Sequence, residues 1–136
     1  MPVPLDEYPI HQAPLSFEFV ASSDRNFYDR CYFNAHNRTD ELFLVTGFGV
    51  YPNLGVKDAY ATLRLGDVQH AVRFSDALEG DRMDQRVGDY RIEVIEPLKR
   101  LRIVCDGTDL GLGFDLMWEG TFPAVQEQPH IMRAGS

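Results

Sequence analysis

The sequence predicts an all-β protein, an antiparallel β-barrel or sandwich with little helix. Three observations carry that expectation. Helical periodicity is nearly absent while apolar and polar residues alternate along much of the chain. Glycine, proline and asparagine/aspartate clusters interrupt the alternation. The resulting strands are short and spaced roughly eight to twelve residues apart, as in sandwiches and barrels.

Taken in chain order, Ser16 to Val20 alternates weakly and reads as a first short strand. Arg30 to His36 follows, with Arg30, Tyr32, Asn34 and His36 on one face and Cys31, Phe33 and Ala35 on the other. The cluster Asn37-Arg38-Thr39-Asp40 separates it from a longer strand, Leu42 to Tyr51, which Pro52-Asn53-Leu54-Gly55 ends.

The clearest hairpin spans Lys57 to Ser75, where Gly66-Asp67 is a two-residue turn signal. With those two residues as the loop, Leu65, Leu63, Ala61 and Ala59 face Val68, His70, Val72 and Phe74. The opposite face pairs Arg64, Thr62 and Tyr60 with Gln69, Ala71 and Arg73. A slip of one residue would mix an apolar face with a polar one, so the pattern fixes the register. A second hairpin turns at Glu96-Pro97-Leu98-Lys99, with proline suited to the second turn position. It sets Val94, Ile92 and Tyr90 opposite Leu101, Ile103 and Cys105, and Glu93 opposite Arg102. Thr108 to Thr121 reads as a last strand, and the polar stretch 126–136 as a connector or tail after a domain over residues 1–125.

Composition narrows the function classes. The chain has 136 residues, 44% of them hydrophobic, and a formal net charge of -8. That length suits one domain with a real core. The acidity argues against nucleic acid, whose phosphates select clustered Lys and Arg. No apolar run approaches the roughly 20 residues of a membrane span. The start, MPVPLDEYPI, lacks the pattern of a signal peptide, so a soluble cytoplasmic protein is expected. Cys31 and Cys105 stand far apart without a CxxC and read as separate packed thiols, with one disulfide between them as the alternative. The four histidines show no ligand spacing, so neither a metal nor another cofactor is expected. GFGVYP, from Gly47, is not a dinucleotide fingerprint, and no GxSxG or phosphate loop is present.

Three segments also carry a family resemblance: DRNFYDRCYFNAHNRTDELFLVTGFGVYPNLGVKDAYATLR from Asp24, VGDYRIEVIEPLKRLRIVCD from Val87, and GLGFDLMWEGTFPA from Gly111. Together they resemble the N-terminal half of a family of uncharacterised bacterial proteins of actinobacterial type. That family is distantly similar to the carotenoid hydratase (hydroxyneurosporene synthase) superfamily. The resemblance implies a calycin-like, lipocalin-like β domain and, as a partner, a second β domain in the same parent chain.

Several residues are candidates for a site, each with an ordinary alternative. Gly47 and Gly49 share a strand face and would make either a shelf for a flat apolar ligand or a bend at a barrel corner. His70, the lone polar group on its face, reads as a satisfied core histidine or as a ligand contact inside a cavity. Tyr32, Asn34 and His36 would line a site if their face points inward and would be solvated if outward. Phe114, Leu116 and Trp118 share a face, which makes Trp118 a ligand-contact candidate. Asp115 is the carboxylate best placed to act as the raised-pKa acid that hydration of an alkene needs; otherwise it bonds neighbouring backbone or an arginine.

The leading expectation is a domain that binds an apolar small molecule of the isoprenoid, steroid or fatty-acyl kind. The alternatives are a hydratase or isomerase acting on such a molecule's double bond, and a non-catalytic module that packs against a second β domain.

Overall fold

The computed structural model describes residues 1–11 and 13–130. Eight strands form two four-stranded antiparallel sheets, each a simple meander in chain order. Sheet I contains β1 (Asp29–His36), β2 (Leu42–Tyr51), β3 (Val56–Leu65) and β4 (Val68–Ala77). Sheet II contains β5 (Arg86–Val87), β6 (Tyr90–Glu96), β7 (Arg100–Asp106) and β8 (Gly113–Glu119). Helix is confined among the described residues to two 3₁₀ turns, Pro4–Glu7 and Pro52–Leu54. Among the described residues no helix is long and apolar enough to cross a membrane.

The β3–β4 pairing is the one the alternation dictates: Leu65 opposite Val68, Leu63 opposite His70, Ala61 opposite Val72 and Ala59 opposite Phe74. Gly66 takes the positive φ (58°) that the first central position of a type II′ turn requires. In β6–β7, Tyr90, Ile92 and Val94 face Cys105, Ile103 and Leu101, and the ladder is irregular between Val94 and Glu96. Leu42 to Tyr51 forms a strand over the bounds read from the sequence.

Two expected elements differ. Ser16 to Val20 is a turn, not a strand: Phe19 N–H bonds Ser16 O, and Phe17 N–H reaches Gly80 O across the chain. Phe17 is buried while Phe19 is 59% exposed, so the alternation never closes on a partner. The last strand is shorter than Thr108 to Thr121, because Gly111 (φ 78°) belongs to the preceding turn. The two-residue β5 carries too little pattern to be read. Residues 126–130 of the expected connector are exposed and without regular structure, and 131–136 lie outside the described residues.

The sheets pack face to face as a sandwich. Leu44, Phe48 and Val50 from β2 meet Tyr90, Ile103 and Cys105 from sheet II in one buried cluster. Burying a side chain of this size contributes about 1.5–3 kcal/mol. Inside it, Thr46 Oγ1 donates to Tyr60 O at 2.7 Å and lies 3.1 Å from the Tyr90 hydroxyl, so the buried phenol has a partner. The centre of the sandwich is therefore filled with side chains. No ladder joins the sheets into a barrel; at the β1/β8 side the gap is bridged by Trp118, whose ring meets Phe33 edge-on at 5.6 Å. Its indole N–H donates to Asn34 O at 3.3 Å.

The N-terminal segment straps one side. Ile10 and Phe17 enter the core. Ile10 N–H bonds Asp29 Oδ2 at 2.7 Å, Arg82 Nη2 donates to Pro9 O at 2.8 Å, and Leu98 N–H donates to the Glu7 carboxylate.

Candidate functional site: an end cleft beside the β3–β4 hairpin

Because the core fills the middle, open space lies at the margins. The largest cleft described, about 490 Å³, opens where the far end of β3–β4 meets the β7–β8 turn. Its apolar walls include Leu63, Leu65, Val72, Leu110 and Leu112, and His70 stands among them. The size falls within the roughly 300–1,000 Å³ typical of small-molecule pockets. Leu112 is buried at its base, whereas Leu65 and Leu110 are 45% and 51% exposed. The hairpin creates this arrangement by running past the core: Ala59, Ala61, Val72 and Phe74 are buried, and the same face beyond them is left uncovered. His70 is thus exposed at the cleft and is not a core histidine.

The other residues singled out from sequence do not converge on this cleft. Tyr32, Asn34 and His36 lie on the outward face of β1; Tyr32 is 59% exposed, and His36 Nδ1 accepts from Arg38 N–H at 3.1 Å. Gly47 and Gly49 also face outward on β2, and the protein's own side chains occupy the space above them. A Cβ on Gly47 would lie 2.9 Å from Tyr60 Cε1, and one on Gly49 would lie 3.0 Å from Arg30 Cγ. Arg30 lies 5.9 Å from the ring centroids of both Tyr51 and Tyr60, and its Nη1 donates to the Tyr51 hydroxyl at 2.7 Å. Tyr51 in turn lies 3.3 Å from both Asp58 carboxylate oxygens. Burial and then the nearby Asp58 charge raise the Tyr51 phenol, which stays neutral. The glycines make room for this tyrosine–arginine cluster.

Asp115 departs from the requirement set for it. It is exposed and held in a two-pronged pair by Arg102, with Nε to Oδ1 at 2.8 Å and Nη2 to Oδ2 at 2.6 Å. The Arg102 hydrogen bonds hold its carboxyl below the usual aspartate range, the opposite of the raised acid that alkene hydration needs. Trp118 serves the seam between the sheets and also walls a second cleft of about 340 Å³ with Leu98 and Leu101. Both cysteines are free thiols; burial pushes Cys31 up to about 11 and raises Cys105. Among the described residues no three His, Cys, Asp or Glu side chains converge as metal ligands.

Fold and cleft define the class: a β-sandwich domain of two meander sheets with a packed centre and a cleft of mixed polar and apolar lining at one end. The chain belongs to a family of unknown function, DUF8625, whose model matches residues 3–136. No curated protein and no solved structure matches it.

Proposed function

We propose that this domain binds an apolar small molecule in the end cleft, with His70 supplying the polar contact. The observation that carries the reading is a cleft of about 490 Å³ with Leu63, Leu65, Val72, Leu110 and Leu112 in its walls, in a molecule whose centre is otherwise filled. Covering the exposed parts of Leu65 and Leu110 contributes about 25 cal/mol per Å² of apolar surface removed from water. The imidazole at the same cleft can hold a ligand's hydroxyl or carboxylate. An isoprenoid, steroid or fatty-acyl compound is the ligand class that the sequence resemblance to the carotenoid hydratase superfamily implies.

The proposal stops short of a reaction. Hydration or isomerisation of a double bond needs a protonated acid in the cavity, and Asp115 is an outward, ion-paired carboxylate. A packing module is the second reading, favoured by the filled centre; the exposed Leu65, Val68 and Leu110 would then contact a second β domain.

Titration with a fluorescent fatty acid separates these. Saturable binding is expected, weakened at least tenfold by Leu63→Trp, which fills the cleft. His70→Ala is expected to weaken the fatty acid more than a hydrocarbon probe of equal length. Binding that does not saturate, or that Leu63→Trp leaves unchanged in a folded variant, overturns the reading.

A further inference from the structure

A second cavity, about 220 Å³, lies beneath the N-terminal strap and shares no wall residue with the end cleft. Its walls include Asp6, Glu7, His11, Asp29, Arg30 and Gln85. The carboxylates are half-committed. Asp29 uses Oδ2 to accept Ile10 N–H, and Glu7 uses Oε2 to accept Leu98 N–H. Asp6 uses Oδ2 for Val3 N–H, and its Oδ1 lies 3.9 Å from His11 Nε2. Asp29 Oδ1 and Glu7 Oε1 make no hydrogen bond among the described residues.

The other side of the cavity carries the reverse deficit. Gln85 is 5% exposed, and its Nε2, a pure donor, has no partner among the described residues. Arg82, three residues earlier in the chain and not in the cavity wall, is 7% exposed; its Nη2 is spent on Pro9 O, while Nε and Nη1 have no partners among the described residues. A buried donor left unpaired is costly, so the Gln85 amide calls for an acceptor in the cavity. At about 30 Å³ per water in the liquid, the cavity has room for about seven waters, more than one bridging water fills.

We propose that this cavity binds a small zwitterion of the amino-acid class, its ammonium on Asp29 and Glu7 and its carboxylate at the Gln85 amide. The backbone bonds that Asp29 and Glu7 already accept fix the strap and set the two carboxylates in place, so the site is built before the ligand arrives. Asp6 adds negative charge at the ammonium end.

The test is calorimetric titration of the full chain with glycine and L-alanine, set against ethylamine and propionate, each carrying only one of the two charged ends. The expected result is saturable binding of the amino acids and at least tenfold weaker binding of both single-ended compounds. Gln85→Leu is expected to reduce amino-acid binding at least tenfold while leaving Tm unchanged or raised, since it removes an unpaired buried donor. Asp29→Asn, which keeps an acceptor for Ile10 N–H, is expected to weaken binding without unfolding the strap. Equal binding of ethylamine, no binding of any of the four compounds, or a lowered Tm in Gln85→Leu overturns the proposal; the last assigns the amide to internal water.

Discussion

Gly47 shows how one missing methyl group shapes a sheet face. A Cβ there would sit 2.5 Å from the backbone oxygen of Cys31, which cannot swing aside, and 2.9 Å from Tyr60. At Gly49 the nearest atoms are Asp58 Oδ1 at 2.9 Å and Arg30 Cγ at 3.0 Å, side-chain atoms that yield more readily than backbone. Gly47→Ala is therefore expected to destabilise by about 1–3 kcal/mol, the usual cost of overpacking, and Gly49→Ala by clearly less. Urea denaturation of the two variants measures the difference; equal costs would mean the Cys31 backbone yields. The alternation of the two glycines was legible in the sequence, but which face they occupy was not. Period two separates faces without saying which one meets the second sheet, so a shelf for a ligand and a seat for Tyr60 look alike until the sheets are packed. For Asp115 an arginine bond was one of the two sequence readings, but the choice between them was not legible, for a related reason. Its partner, Arg102, lies on the neighbouring strand, and only the β7–β8 register, with Val104 opposite Asp115 and Met117 opposite Arg102, makes the pair.

At the scale of elements, the outer face of sheet II is a ladder of ion pairs. Arg91 bonds Glu93 and Asp106, Arg102 bonds Glu93 and Asp115, and Arg100 bonds Glu119. Hydrogen bonds from Arg91 hold the Glu93 carboxyl below its ordinary value, and those from Arg102 do the same for Asp115. A depressed folded pKa contributes stability that is present above the unfolded value, near 4, and lost as pH falls through the folded value. Glu7 works in the opposite sense: burial raises its carboxyl, so its contribution is present at low pH and lost as pH rises through the raised value. Arg102→Met is thus expected to lower Tm at pH 7, with the gap to the parent narrowing towards pH 3 and in 1 M salt, where screening reaches about 3 Å. Thermal melts across that range check it, and a gap independent of pH and salt would assign Arg102 to packing alone. The β3–β4 and β6–β7 hairpins were legible because each closes within a few residues, and the turn at Gly66-Asp67 fixes its own register. The clefts were not, because each is walled by elements distant in the chain. Residues 63–72 meet 110–113 in one, and residues 6–11 meet 29–31 and 85 in the other.

The whole molecule is two meanders that need each other. Each sheet pairs only consecutive strands, so each could in principle assemble locally. Neither has a core alone, because Leu44, Phe48 and Val50 are covered by Tyr90, Ile103 and Cys105 from the other sheet. Thr46 and the Tyr90 hydroxyl meet across the same interface, so separating the sheets takes this partner from the Tyr90 hydroxyl, while Thr46 keeps Tyr60 O. That mutual dependence argues for one cooperative unfolding unit. Trp118, the chain's single tryptophan, sits on the seam and reports its state. If the seam opens only with the core, the Trp118 emission shift and the loss of β-sheet circular dichroism share one midpoint in urea. Trp118→Ala is expected to cost about 2 kcal/mol or more, since it removes a large ring that is only partly buried. Trp118→Phe retains the contact with Phe33, loses the bond to Asn34 O, and is expected to cost about 1 kcal/mol. An emission change at lower urea than the dichroism change would instead show the β1/β8 side opening first. The sandwich would then behave as a hinge along its unpaired edge, with the Thr46–Tyr90 contact as the part that holds longest.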